Sequence, residues 1–407
     1  MIDEILCSKS GGRVRIALRE DGRLVDLIIA GAGAPDAMGS IVLGRVSAVL
    51  PGMEAAFVDI GAERAGFLSL TAPRGEAENG EGEDGAGDSG AVAFDPVHEG
   101  GEVLVQVTKT AQAGKGAGLT RSIGLAGRYL VLTPMQPRIA ISRRIDDTET
   151  RAAIEETMGG ITRPGEGFIV RTAGRDADAR ALADDADDLR RLWATIVEAR
   201  RGASCPTVLH GADRGLGQAL RDFAHEGVRR ILVDDRGAEA DAEAFCDAHM
   251  PDLGTRIETW GEADPMFEAL GVEDEIAAAL EPCVVLPCGG TLIIEETQAL
   301  TAVDVNTGRH VGRSSHADTV RLTNLEAAAE VPRQLRLRGL GGITVIDFIH
   351  MDREADQEEV LATLMQGLAG DPGFIRAGGI SELGLVELAR RRGDGSLRQR
   401  LEALEGS

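Results

Sequence analysis

Short apolar runs rich in β-branched residues recur along this chain. Three of them lie close together in its last third, at residues 291–297, 300–306 and 343–349. Each run is bounded by turn-forming residues, which is typical of a β-strand. Asp304 and Asp347 stand inside or at the end of the second and third runs. The pattern therefore predicts two carboxylates carried by hydrophobic strands.

An ionised carboxylate on a hydrophobic strand is costly unless a positive charge meets it. A divalent cation held by Asp304 and Asp347 removes that cost, and two carboxylates with several waters suit Mg²⁺ at phosphate chemistry. Asn306, two residues after Asp304, projects to the same face and is placed to orient a water or a phosphate oxygen. A lone Asp near a strand end is commonly a turn or cap residue. Spacing alone leaves that alternative open.

The first hundred residues show a different strand pattern. Residues 12–18 and 23–30 alternate polar and apolar positions around a turn at 20–22, which predicts a β-hairpin. Several short strand patterns with glycines at the bends follow between residues 40 and 107. They predict a small Greek-key barrel of the OB type.

Phe57 and Phe67 stand out in the barrel region because aromatic residues make up only 3% of the chain. On neighbouring barrel strands they are able to stack on bases, and each such stack contributes about 1–3 kcal/mol. The alternative is a pair of ordinary core phenylalanines.

The middle of the chain has strand patterns between residues 128 and 171, then an amphipathic helix pattern at 178–200. A further helix is predicted at 267–279. Arg171 and Thr172 are followed by Gly174, and a guanidinium beside a hydroxyl and a flexible turn is able to hold a phosphate. The alternative is that Arg171 pairs with a neighbouring acid on the surface.

Length and net charge bear on the number of domains and on the kind of partner. A chain of 407 residues is too long for one ordinary core, which predicts two to four domains or subdomains. Its net charge of −24 argues against a nucleic-acid partner. Part of that charge lies in a low-complexity acidic insert at 74–88, which is predicted to be disordered. Basic clusters at 143–144, 333–338 and 390–392 keep a local RNA-binding surface open.

Cysteines and hydropathy bear on location. The five cysteines show no metal-ligand spacing, and their odd number favours free thiols in a reducing compartment. There is no apolar leader and no run long enough to span a bilayer. We therefore predict a soluble, cytoplasmic protein. Of the histidines, His310, His316 and His350 fall near the two aspartates, where His350 is either an assisting group or a surface histidine.

Taken together, these segments resemble the ribonuclease E/G family over nearly the whole chain. The resemblance rests on GRV at 44–46, EAAFVDIGAER at 54–64, GFL at 66–68, LAGRYLV at 125–131, ISRRI at 141–145, IVRTAG at 169–174, ALTAVDVNTG at 299–308, TNLEAA at 323–328, RQLRLR at 333–338 and GGITVIDF at 341–348.

The resemblance implies an α/β multi-subdomain fold with a split RNase H-like subdomain, an OB-fold RNA-binding barrel with a 5′-sensor, and a DNase I-like catalytic subdomain. The implied boundaries are 1–38 and 206–279 for the two RNase H-like parts, 39–121 for the OB domain with the acidic insert at 74–95, 122–205 for the 5′-sensor, 280–400 for the DNase I-like part and 401–407 for a tail.

It also implies an Mg²⁺-dependent endoribonuclease that cleaves single-stranded RNA, favours 5′-monophosphorylated substrates and takes part in rRNA processing and mRNA decay. The implied metal ligands are Asp304 and Asp347, with Asn306 assisting catalysis. The implied RNA-binding residues are Phe57, Phe67 and Lys115 along the single strand, and Val131, Arg144, Arg171 and Thr172 in the sensor and channel. The alternatives are a catalytically silent RNA-binding protein of the same fold and a metal-dependent phosphatase.

One departure from the family concerns zinc. Larger members carry a cysteine-rich zinc knuckle after the catalytic subdomain, whereas no cysteine follows Cys288 here. We therefore expect a short form with no zinc, no zinc-linked assembly and no C-terminal scaffold. A homo-oligomer formed in another way remains open.

Overall fold

The computed structural model describes residues 1–10, 13–30, 35–70, 94–111, 115–211, 215–308, 316–371, 373–381, 383–393 and 395–405. The chain divides into two compact units. Unit 1 comprises Met1–Ala30, His225–Glu243 and Asp252–Ser407, and unit 2 comprises Gly31–Ala224 and Ala244–Pro251. Most of the predicted acidic insert lies outside the described residues.

The strands, in chain order, are β1 Glu4–Ser10, β2 Arg13–Glu20, β3 Arg23–Ala30, β4 Ile41–Leu50, β5 Ala55–Asp59, β6 Gly66–Ser69, β7 Glu102–Lys109, β8 Gly118–Thr120, β9 Leu125–Ala126, β10 Leu130–Leu132, β11 Ile139–Ile141, β12 Phe168–Val170, β13 Thr207–His210, β14 Arg230–Val233, β15 Ile257–Thr259, β16 Cys283–Val285, β17 Thr291–Glu296, β18 Leu300–Asn306, β19 Gly342–Asp347, β20 Phe374–Ile380 and β21 Leu385–Arg390. The helices are α1 Thr148–Ile161, α2 Ala179–Arg201, α3 Leu216–Phe223, α4 Arg236–His249, α5 Pro251–Gly254, α6 Met266–Ala269, α7 Val272–Leu280, α8 His316–Leu337, α9 Glu354–Ala369 and α10 Leu397–Glu405.

Unit 2 begins with a barrel. Its strand order is β4-β5-β6-β8-β7, and β7 pairs back onto β4, so that five strands close on themselves, while β13 adds to β4 from outside the ring. Alternate residues such as Val46, Val58 and Val105 are buried inside. A Cβ at Gly44 of β4 would lie 2.5 Å from a methyl group of Val58 on β5. Any larger residue at position 44 would therefore clash with β5. The OB-like barrel predicted from the sequence is confirmed.

A second sheet in unit 2 has the order β11-β12-β10-β9. Helices α1 and α2 share its apolar core, to which Leu182, Leu189 and Ile196 contribute one face of α2. Asp178 caps the start of α2 by accepting a hydrogen bond from the Ala181 backbone N–H at 2.7 Å. The helix predicted at 178–200 is confirmed within one residue at each end.

Unit 1 contains a five-stranded sheet of order β15-β14-β1-β2-β3. Asp21 and Gly22 turn β2 into β3 with φ angles of 49° and 74°, as a tight hairpin requires. The hairpin is therefore confirmed. The single helix predicted at 267–279 is wrong, because Gly271 takes a left-handed φ of 69° and separates α6 from α7.

The second sheet of unit 1 has six strands in the order β16-β17-β18-β19-β21-β20. One face is buried with α8 and α9, and its core includes Leu292, Val303 and Ile346. The opposite face alternates with these positions and is partly open to solvent. The three strands predicted from the apolar runs are confirmed, and the open face carries Asp304, Asn306 and Asp347.

The basic run at 333–338 does not provide an open cationic surface. Arg333 donates to the Leu24 carbonyl oxygen at 2.6 Å, and Arg336 pairs with Asp26 at 3.4 Å. Burial lowers the pKa of the Arg338 guanidinium to about 10. Burial by itself raises the pKa of the Glu330 carboxyl, but its bond with Arg333 holds that pKa below the ordinary value. The charges of Arg333 and Arg336 therefore join α8 to β3.

A search of the described helices for a stretch that is both long and apolar enough to cross a membrane finds none.

Candidate functional site

Asp304 and Asp347 lie side by side on the six-stranded sheet of unit 1. Strands β18 and β19 are parallel, and their register pairs the two aspartates directly. Adjacent strands are about 4.8 Å apart, so both side chains leave the same face at neighbouring positions. Both residues are exposed. In the same row, Ile293 pairs with Asp304 and Leu385 pairs with Asp347.

Asn306 lies on the same open face, two residues beyond Asp304. Its Nδ2 donates a hydrogen bond to Asp304 Oδ2 at 2.8 Å. This bond restrains the Asp304 carboxylate and keeps the exposed carboxamide beside it. The structure thus brings together the three residues selected from the sequence.

The two carboxylates and their surroundings fit Mg²⁺. Like charges on directly paired residues repel each other, and a cation relieves that repulsion. Among the described residues, no cationic side chain pairs with either carboxylate. Within the same part of the chain, no group of three or more His, Cys, Asp or Glu side chains is arranged to hold a metal. An ion bound by Asp304 and Asp347 would therefore keep several waters, which is the coordination that Mg²⁺ prefers.

A cavity of about 410 Å³ opens in front of this pair. Its lining combines polar groups of the site with apolar side chains, including Met351, Ile380 and Leu383. His316 and His350 also line it. The His350 side chain is 84% exposed and its Nε2 lies 3.3 Å from Asp352 Oδ1, whereas His310 lies outside the described residues. Asp304 and Asp347 themselves line this cavity, so it gives access to both carboxylates.

Phe57 and Phe67 form an exposed aromatic pair on the barrel of unit 2. They are directly opposite each other on β5 and β6. Their ring centroids are 6.1 Å apart in an edge-to-face arrangement, and each residue is 37% exposed. The alternative that they are core residues is wrong. Lys115 is also exposed, and a Cβ at the next residue, Gly116, would lie 1.9 Å from the Ala65 carbonyl oxygen, which places this segment close to the start of β6.

Arg171 lies directly after β12 and is already paired within unit 2. Its Nη1 donates to the Gly127 carbonyl oxygen and its Nη2 to Asp222 Oδ1, both at 2.7 Å. The two side chains of the ion pair are 21% and 26% exposed. The alternative raised from the sequence, a pair with a neighbouring acid, is present in the structure. Phosphate binding by Arg171 stays a prediction.

Thr172 and Arg144 meet through a third residue, Ser142. The Thr172 and Ser142 hydroxyl oxygens are 3.1 Å apart, and the Arg144 backbone N–H donates to Ser142 Oγ at 3.4 Å. These bonds bring the ends of β11 and β12 together. Two of the predicted sensor residues are therefore neighbours.

Val131 lies in the middle of its sheet and is 8% exposed. Strand β10 pairs with β9 on one side and β12 on the other, so the backbone polar groups of Val131 face neighbouring strands. The loop just before it is fixed by Asp185, whose carboxylate accepts from the backbone N–H groups of residues 128, 129 and 130 at 3.0, 2.8 and 2.8 Å. Burial lowers the pKa of the nearby Arg128 guanidinium, which donates to the Arg221 carbonyl oxygen at 2.6 Å.

Three residues that the sequence did not single out shape these sites. Ser142 stands inside a quoted family segment, whereas Asp185 and Asp222 belong to helices with no recognisable motif. Both aspartates act on partners 51 to 57 residues away in the chain. Local pattern therefore carried no signal for them.

The chain is similar in sequence to known ribonucleases. The model of the ribonuclease E/G family matches residues 124–393. Ribonuclease G of Escherichia coli (strain K12) is 37% identical over 392 residues, which cover 96% of this chain and 80% of that protein. Ribonuclease G of Haemophilus influenzae is 35% identical over 389 residues, covering 96% and 79%. Ribonuclease E of Escherichia coli (strain K12) is 37% identical over 382 residues, covering 93% of this chain and 36% of that protein.

The chain belongs to the ribonuclease E/G family. The resemblance inferred from the sequence is confirmed, and the match includes both aspartates of the six-stranded sheet as well as the segment that carries Arg171.

Proposed function

We propose that this chain is an Mg²⁺-dependent endoribonuclease that cleaves single-stranded RNA and favours substrates with a 5′-monophosphate. Membership of the ribonuclease E/G family supports the ribonuclease chemistry. The observation that carries the proposal is the direct pairing of Asp304 with Asp347 on an open sheet face. Two adjacent anions need a cation, and a phosphodiester approaching them needs the same cation.

At the centre of the site, Asp304 and Asp347 would hold Mg²⁺, and Asn306 restrains the Asp304 carboxylate through its 2.8 Å hydrogen bond. Mg²⁺, when bound, supplies Lewis-acid assistance to in-line attack of water on the phosphodiester and to departure of the leaving oxygen. The Asn306 carboxamide, on the same open face, would orient the phosphate or a water. Cleavage of this kind leaves 5′-phosphate and 3′-hydroxyl ends.

The barrel supplies a binding surface for the single-stranded RNA. Phe57 and Phe67 expose ring area on which unpaired bases stack, and Lys115 offers a charge for the backbone. Stacking of this kind needs bases that are not already paired, because duplex RNA does not expose their faces. This favours single-stranded over double-stranded substrates.

The sensor residues recognise the 5′ end. Arg171 donates to the terminal phosphate from its planar guanidinium, and Thr172 adds its hydroxyl. Arg144 completes the surroundings, whereas the backbone of Val131 is paired with its neighbouring strands and contributes only by its position. The phosphate joins or displaces Asp222, which occupies one edge of the guanidinium here. A triphosphate is too large and too highly charged for the same contacts.

The subdomain assignment is part of the proposal. The five-stranded sheet of unit 1 is the split RNase H-like subdomain, the sheet of β9–β12 is the 5′-sensor, and the six-stranded sheet is the DNase I-like catalytic subdomain. We place the enzyme in the cytoplasm, where it acts in rRNA processing and mRNA decay.

A cleavage assay tests the proposal. A fluorescent single-stranded RNA is prepared in 5′-monophosphate and 5′-hydroxyl forms, with a hairpin duplex of the same composition as control. We expect cleavage of both single strands in Mg²⁺, a higher kcat/KM for the monophosphate form, little cleavage of the duplex and none in EDTA. RNA binding without cleavage at any Mg²⁺ concentration would instead identify a catalytically silent RNA-binding protein.

A further inference from the structure

Asn324 is a fully buried polar residue beneath the aspartate pair. It lies in the middle of α8 and is 0% exposed. Its Nδ2 donates to the Ile349 carbonyl oxygen at 2.7 Å, and its Oδ1 accepts from the Ile349 N–H at 3.1 Å. The carboxamide therefore binds both backbone polar groups of one residue, as a neighbouring strand would.

Ile349 comes two residues after Asp347, where β19 has ended. The connecting Phe348 is 5% exposed and packs in the core with Met351, which is 6% exposed. Gln357 of α9 donates its Nε2 to the Met351 carbonyl oxygen at 2.7 Å. The chain that leaves Asp347 is thus tied at two points by side-chain amides instead of by a partner strand.

The same turn of α8 also supports the other half of the pair. A Cβ at Gly290 would lie 2.7 Å from Thr323 Cγ2 and 2.8 Å from the Asn306 carbonyl oxygen, so these three groups are in close contact. Glu326 accepts the Cys288 backbone N–H at 2.8 Å, which fixes the turn that carries Gly290. One helical turn therefore underlies both strands that carry the aspartates.

We propose that Asn324 is a positioning residue that holds Asp347 at the spacing from Asp304 that metal binding requires. The proposal rests on the proposed function. Two like charges on paired strands push apart, and the end of β19 is the place where the backbone is able to yield. The buried amide resists this, because any shift of Ile349 breaks two partly buried hydrogen bonds. Partners that orient metal ligands typically change metal affinity or activity about 10- to 100-fold when they are removed.

The test compares Asn324→Ala with Gln334→Ala. Gln334 is a buried amide on the same helix, 3% exposed, which donates to Glu330 and accepts from Arg338, so its loss also destabilises α8 but does not touch Ile349. Two quantities are measured for each protein: the dissociation constant of Mg²⁺ without RNA, from the rise of the thermal midpoint with Mg²⁺ concentration, and the Mg²⁺ concentration that gives half-maximal cleavage.

We expect Asn324→Ala to weaken Mg²⁺ binding about 10-fold or more in both measurements, with an unchanged affinity for RNA in EDTA. We expect Gln334→Ala to keep both wild-type Mg²⁺ constants, even if its thermal midpoint falls by as much as that of Asn324→Ala. Asn324→Ser, which keeps a polar group at the position, serves if the alanine variant does not fold, and it is expected to lie between alanine and wild type.

Wild-type Mg²⁺ constants in folded Asn324 variants would overturn the proposal and leave Asn324 with a purely structural role. Equal weakening in Asn324→Ala and Gln334→Ala would overturn it as well, because general loosening of α8 would then explain the effect. A wild-type protein that neither binds Mg²⁺ nor cleaves RNA would reject the proposed function itself, and the role of Asn324 with it.

Discussion

The two candidate ligand sites of this protein differ in whether their charged side chains already have a counter-ion. On the six-stranded sheet, Asp304 and Asp347 are paired anions, and no described cationic side chain meets either of them. On the sheet of β9–β12, Arg171 already has a counter-ion in Asp222, 2.7 Å away. The first site is incomplete without a ligand, whereas the second is satisfied before any ligand arrives.

This difference sets what each ligand gains. A cation at the aspartate pair relieves repulsion and adds attraction, so binding and chemistry depend on both carboxylates together. A phosphate at Arg171 exchanges one anion for another at a partly exposed group, and only the surplus over the Asp222 pair is gained. Loss of a residue is therefore expected to have a large effect at the first site and a modest one at the second.

The largest effect is expected when one aspartate at a time is neutralised. Asp304→Asn or Asp347→Asn is expected to lower kcat by about 10³-fold or more, because metal assistance contributes several kcal/mol. RNA affinity in EDTA stays near that of the wild type. Cleavage rates on a fluorescent single-stranded RNA in saturating Mg²⁺ give the result.

Asp352→Asn provides the matched control for that experiment. Its side chain is 94% exposed, and the residue lies outside the paired strands β18 and β19. It is expected to cleave at the wild-type rate. Near wild-type cleavage by either Asp304→Asn or Asp347→Asn would show that the two carboxylates do not act as a metal-binding pair.

At the second site, replacing Arg171 with Ala is expected to weaken the preference for 5′-monophosphorylated RNA by about 1.5–3 kcal/mol, the range for one charged hydrogen bond. Substrates with a 5′-hydroxyl are cut as before, since they have no phosphate for the guanidinium. The ratio of kcat/KM values for the two substrates measures the effect. Arg180→Ala, at a 90% exposed helix position, is the control.

An equal fall in kcat/KM for both substrates would assign Arg171 to folding or to general RNA binding. Its bond to the Gly127 carbonyl oxygen makes that outcome a real alternative, because the loss would also loosen the loop at residues 127–130.

The aromatic pair on the barrel offers an uncharged third case. Phe57→Ala and Phe67→Ala are each expected to weaken RNA binding by about 1–3 kcal/mol, the usual effect of losing one base stack. The double variant loses less than the sum, because the two rings contact each other at 6.1 Å. Affinity for a short single-stranded RNA in EDTA is the measurement. Unchanged affinity with a lowered thermal midpoint would show that the rings stabilise the barrel instead.

Much of the aspartate site could be predicted because its signals are local. Alternation of β-branched residues marked β17, β18 and β19, and the period of two placed Asp304 and Asn306 on one face. Two carboxylates on such strands suggested a ligand site, although spacing alone left a turn or cap role open. The direct pairing of Asp304 with Asp347 was not predicted, because it depends on β18 and β19 lying side by side in parallel.

The remainder depends on partners far apart in the chain. Arg333 and Arg336 look like a basic patch until residues 24 and 26 are brought against them, more than 300 positions away. Asn324 stands in a quoted family segment, TNLEAA at 323–328, but nothing in that segment indicated its two hydrogen bonds to Ile349. Asp222 gave no local sign that it would neutralise Arg171. Patterns along the sequence identify elements and unusual charges, but which charges neutralise each other is decided by packing.

The smallest effect is expected when Asp222, the counter-ion of Arg171, is itself changed. In Asp222→Asn, Arg171 keeps a hydrogen-bonding neighbour but loses the competing negative charge, so a 5′-phosphate meets a less neutralised guanidinium. We expect the preference for the monophosphate substrate to rise by about 0.5–1 kcal/mol, the scale of a partly exposed ion pair. The rise is largest at low ionic strength and fades with added salt, since screening weakens exposed charges first. A fall in the preference, parallel to that of Arg171→Ala, would mean that Asp222 serves to orient the guanidinium. The second site would then resemble the first, with two charged side chains acting as one unit.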